Sequence, residues 1–105
     1  MNIPFSMRKA FRWLKIRESA MTRLLGRFVR TESPSFDKAA VDRLGHIVTG
    51  EWKRRGASAA LVRQRTRGNH VRVVWHPRGG PADGQILVLG HLDTCLLYTS
   101  DAADE

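Results

Sequence analysis

The chain has 105 residues, enough for one small domain with a single core and too few for two. An apolar content of 42%, with three Trp and four Phe, excludes a disordered chain. The longest aliphatic run, Ile86 to Leu89, excludes a membrane-spanning helix, which needs roughly 20 apolar residues. The net charge of +8 comes mostly from arginine and raises the question of an anionic partner.

Taken in chain order, the amino terminus has no secretory pattern, because Arg12, Lys15 and Arg17 interrupt the apolar stretch that such a signal requires. An unsecreted, cytoplasmic protein is therefore expected. Residues Arg8 to Arg30 contain no Pro and one Gly, and they place Leu14, Met21, Leu24 or Leu25, and Phe28 at near-helical spacing, which predicts one amphipathic helix. Eight basic residues lie in that stretch against the single acid Glu18.

The pattern breaks at Thr31-Glu32-Ser33-Pro34-Ser35. Ser33 is suited to cap a second helix with Pro34 at its first position, which needs no amide proton. In that helix Val41, Leu44, Val48 and Trp52 form the core face, and Gly56 is the natural stop.

From Ala60 the period changes to two. Leu61 to Arg65 and His70 to Trp75 read as a hairpin turned at Gly68-Asn69, with Val71, Val73 and Trp75 on the inner face and His70 and His76 at the surface. Pro77 to Gly84 is a loop. Gln85 to Gly90 is apolar without alternation, the pattern of a strand buried on both faces in mid-sheet.

Two helices, a hairpin and a central strand predict an α/β layered fold. A strand covered on both sides needs more elements than these, so the fold is expected to be incomplete. Immediately after that strand, Gly90-His91-Leu92-Asp93-Thr94 puts an imidazole and a carboxylate two residues apart at a strand's carboxyl end, where open α/β sheets place their sites. Residues two apart on extended chain project to one side, so Asp93 could hold one nitrogen of His91 while the other faces a metal.

Four pieces carry a family resemblance: Phe28 to Ser35, Asp37 to Asp42, Gly68 to Val71, and Ile86 to Thr94. In that order they resemble the start of the di-zinc aminoacylase and carboxypeptidase family, which includes glutamate carboxypeptidases and acetylornithine deacetylase. The Ser-Pro-Ser and Asp-Lys elements are most similar to the glutamate-carboxypeptidase branch.

The resemblance implies that residues 1–94 are the incomplete amino-terminal part of a zinc-exopeptidase-like catalytic domain. It implies that His91 is a zinc ligand and that Asp93 serves catalysis by fixing its imidazole. The bridging aspartate, the general-base glutamate and the remaining ligands of the two zinc ions are absent from the chain, so activity of this chain alone is not expected. The substrate expected for the complete enzyme is a peptide, an N-acyl amino acid or a glutamate conjugate, and a homodimer is the expected assembly.

A structural zinc site yields ~10–16 kcal/mol from four ligands, so one histidine yields roughly 3 kcal/mol, a millimolar affinity.

After Thr94 the chain departs from the family pattern. Residues 95–105, Cys95 to Glu105, resemble a translated transposon-end sequencing adaptor and are expected to be a non-native tail. Cys95 has no second cysteine to pair with and carries no functional weight. His91 with another nucleophile is set aside, since no Gly-x-Ser-x-Gly elbow is present.

A second reading is a small basic module whose Arg8 to Arg30 helix docks on nucleic acid or anionic lipid. Nucleic acid is not expected as the partner of the enzyme reading, because the basic residues are spread along the chain without an aromatic-interleaved recognition motif.

Overall fold

The computed structural model describes residues 6–76, 78, 80 and 83–94. Cys95 and the rest of the expected tail lie outside the described residues. The chain divides into two compact units, one running to Arg30 and the other beginning at Thr31.

The first unit contains α1 (Met7–Ile16) and α2 (Glu18–Arg30), where the sequence predicts one helix. Ser6 caps α1 by accepting from the Lys9 amide at 3.3 Å. At Arg17 the backbone leaves helical angles (φ −98°, ψ 9°), and its amide donates back three residues to Leu14 at 3.0 Å. Glu18, the one acid of this segment, then opens α2. There its charge suits the positive end of the new helix, and it pairs with Lys15 across the joint at 3.1 Å. Neither helix contains a buried residue.

In the second unit, α3 (Lys38–Arg54) packs on a hairpin of β1 (Ser58–Val62) and β2 (His70–Val74). This mixed helix-and-sheet unit agrees with the α/β class at its coarsest level. The helix starts later than Ser33 and Pro34 because Asp37 is its cap, accepting from the Ala40 amide at 3.1 Å. Its end follows the expectation: Gly56 takes φ +90°, its amide bonds to Lys53, and the Ala57 amide reaches back to Trp52.

Ala40, Val41, Leu44 and Val48 form the buried stripe of α3. Gly45 lets the hairpin approach, since a Cβ there would already touch Leu61 at 3.4 Å and Val71 at 3.6 Å. Trp52 and Trp75, both expected inside, are instead 41 and 56% exposed; they pack edge-on with each other, ring centres 6.2 Å apart, at the margin of this layer. His70 and His76 are exposed, as expected.

The strands pair antiparallel from Ser58 opposite Val74 to Val62 opposite His70. β1 therefore ends before Arg63, and the connection is longer than a tight Gly68-Asn69 turn. The Asn69 side chain replaces the missing ladder by accepting from the Gln64 amide at 2.9 Å. The same side-chain oxygen accepts from Lys38 Nζ at 2.9 Å, and the Asn69 amide donates to Asp42 at 2.7 Å, so the connection is tied to the first turns of α3.

The predicted central strand is the main correction. Residues 85–90 form no strand, and Ile86, Leu87, Val88 and Leu89 are 93, 78, 85 and 83% exposed. An apolar run expresses a preference for burial, but a strand also requires a hydrogen-bonded neighbour, and the two-stranded sheet does not extend to this segment.

Among the described residues no helix is long and apolar enough to cross a membrane.

Candidate metal-binding segment

The segment carrying His91 and Asp93 is held by the stretch that precedes α3. Ser33 is the most deeply buried polar side chain among the described residues, at 2% exposure, and its hydroxyl donates to the Leu92 carbonyl at 2.9 Å. The Thr94 amide donates to the Ser33 carbonyl at 2.8 Å, and Pro34 pairs with Thr94 in a parallel bridge. Proline is tolerated there because the bridge leaves its missing N–H unneeded. The next hydroxyl, that of Ser35, favours the charged form of the Asp93 carboxylate.

Serines two apart on one short segment thus hold the stretch that carries a histidine and an aspartate two apart. By spacing alone Ser33 reads as a helix cap, and Ser35 has no individual role. The signal that points to them is the spacing of two shared by both segments, since extended chain presents alternate side chains to one side.

His91 and Asp93 meet in a particular way. Nδ1 of His91 lies 2.7 Å from the Asp93 backbone carbonyl and 3.4 Å from its carboxylate oxygen Oδ1. A carbonyl only accepts, so Nδ1 carries the proton, and the neutral ring then presents the lone pair of Nε2. The contact therefore runs first through the backbone of Asp93, with its carboxylate as a longer electrostatic partner. The imidazole side chain is 80% exposed, which leaves Nε2 accessible.

Asp93 is held ionised below the usual carboxylate range. The Ser35 hydroxyl is the largest cause; its own backbone amide and the nearby His91 add to it, and partial burial opposes them.

The donor set fits one zinc ligand and the group that positions it. His91 offers the nitrogen lone pair that zinc takes, and the second ring nitrogen is fixed by a hydrogen bond, as is usual for ligating histidines. It does not amount to a complete site, because no group of three His, Cys, Asp or Glu side chains gathers among the described residues. His46, His70 and His76 are exposed.

No family model, no curated protein and no solved structure matches this chain.

Proposed function

We propose that this chain is the amino-terminal portion of a zinc-dependent peptidase or amidohydrolase and contributes the first metal ligand, His91, of its centre. The single observation that carries the reading is the His91–Asp93 contact: Nδ1 lies 2.7 Å from the Asp93 carbonyl, an acceptor only, which assigns the proton to Nδ1 and the lone pair to Nε2 of an exposed ring. The family resemblance of Ile86 to Thr94 supplies the reaction class.

In this reading each residue has a defined task. His91 Nε2 is the ligand. Asp93 is a positioning residue that sets the imidazole's tautomer and direction through its carbonyl and stabilises it through its carboxylate. Ser35 lowers the pKa of that carboxylate further, and Ser33 fixes the backbone that carries both groups. What zinc supplies in such a centre is a polarised scissile carbonyl and a bound water made acidic enough to attack. In this reading the other ligands and the general base are supplied from elsewhere in the complete enzyme.

The test is to amplify the source DNA across the Thr94 codon, express the open reading frame obtained, and measure bound zinc and hydrolysis of peptide, N-acyl amino acid and glutamyl substrates. The expected result is a longer chain with further His and carboxylate motifs, stoichiometric zinc, and loss of both metal and activity in His91→Ala. A reading frame that ends at Glu105, or a longer protein whose zinc content is unchanged by His91→Ala, refutes the proposal.

A further inference from the structure

The first unit presents an apolar and a basic surface side by side. At 3.6 residues per turn, Met7, Ala10, Phe11 and Leu14 share one face of α1, while Arg8, Lys9, Arg12 and Lys15 lie on the other side, where Ile16 is the one aliphatic residue. On α2, Met21, Leu24, Leu25, Phe28 and Val29 form an apolar arc with Arg23, Arg27 and Arg30 opposite. None of these residues is buried, and Phe11, Leu25 and Val29 are 69, 62 and 69% exposed.

Trp13 stands at the margin between the two faces of α1, 54% exposed, with the Arg17 guanidinium 3.8 Å above its ring centre. An amphipathic indole at such a margin suits the boundary between headgroups and acyl chains.

We infer that α1 and α2 form a binding surface for an anionic lipid bilayer, lying in the headgroup region with their apolar faces inserted and their arginines and lysines on lipid phosphates. Charge complementarity and apolar area together select this occupant. Basic residues outnumber the single acid Glu18 by eight to one from Arg8 to Arg30, which matches an anionic surface. A nucleic-acid backbone would satisfy the charge and leave the Met, Leu and Phe side chains in water, whereas a bilayer takes both. Long basic side chains on the flanks extend their charged ends to the phosphates while their stems stay on apolar surface. This inference does not rest on the metal reading of His91.

The test is flotation of the full chain with vesicles of phosphatidylglycerol and phosphatidylcholine, against vesicles of phosphatidylcholine alone. A second readout is Trp13 emission in a Trp52→Phe, Trp75→Phe background. Expected are co-flotation with the anionic vesicles only and a blue shift of Trp13 on binding. Affinity should fall by roughly tenfold or more both for Arg12→Gln with Arg23→Gln and for Phe11→Glu with Leu25→Glu. The substituted side chains are not buried, and an unchanged amide-exchange pattern in α3 verifies that the second unit is intact in each variant. Absence of flotation overturns the inference. So does binding to duplex DNA that survives the apolar substitutions while vesicle binding is absent, which would mark a nucleic-acid surface instead.

Discussion

Ser33 donates its hydroxyl proton to the carbonyl of Leu92 at 2.9 Å, closing a separation of 59 residues. With the Thr94 amide returning to the Ser33 carbonyl at 2.8 Å, this contact fixes the backbone on which His91 and Asp93 stand. A residue that constrains the candidate ligand is therefore far from it in sequence and acts through the backbone on either side of Asp93.

Replacing Ser33 with alanine leaves the Leu92 carbonyl without that donor. A cost of about 1–3 kcal/mol is expected at this contact. Amide exchange reads it locally: the Thr94 amide should exchange faster in Ser33→Ala while amides in the middle of α3 keep their protection. Equal rates at Thr94 in the two proteins would show that the hydroxyl does not hold the segment.

Gly68 is required by close approach. A Cβ built there would stand 2.6 Å from the Val41 Cβ, a branched core residue that cannot swing away. Gly68→Ala should destabilise by about 1–3 kcal/mol in urea unfolding. Gly50 lies in the interior of α3, and a Cβ added there meets nothing within 4 Å, so Gly50→Ala should be neutral or stabilise by up to about 1 kcal/mol. Opposite signs at the two glycines are the check.

Asp42 joins α3 to the hairpin connection, accepting from the Asn69 amide at 2.7 Å and from Lys38 Nζ at 2.9 Å. Both donors favour the ionised carboxylate and lower its pKa, the Asn69 amide most. A lowered folded-state pKa makes the contribution to stability fully present above the ordinary value of about 3.9 and lost as pH falls through the lower folded value. Carboxyl NMR titration should place the Asp42 midpoint below that value, and Lys38→Met should move it part of the way back. A midpoint at the ordinary value would show that the clamp is not formed in solution.

Ile86 to Leu89 form a contiguous exposed apolar stretch outside any helix or strand, the kind of segment that pairs with other chains. Concentration-dependent self-association is expected in light scattering at micromolar protein. Leu87→Lys with Val88→Lys should suppress it by adding like charges to the segment. A monomer at all concentrations for the unsubstituted chain would contradict this.

Much of the local structure was legible in the residues. The stripe Val41, Leu44, Val48 and the Gly56 stop follow from helical spacing and from the left-handed backbone that glycine adopts, and both are found. The hairpin's existence follows from alternation, but its limits do not, because Asn69 bonds Gln64 through a side chain that no periodicity describes. The split of the first helix at Arg17 was likewise not legible: Ile16-Arg17-Glu18 contains no breaker, and the change is one of backbone angles.

At the candidate site, sequence determined which groups are present and how far apart: an imidazole and a carboxylate two residues apart, beyond an apolar run. Tertiary structure decided the rest. It brought Ser33 and Ser35 to that pair, turned His91 Nδ1 toward a carbonyl before a carboxylate, and left Ile86 to Leu89 outside the sheet. The reason is that spacing along the chain sets which side a residue faces, whereas a hydrogen bond or a strand also needs a partner, and partners are chosen by contacts between residues distant in sequence.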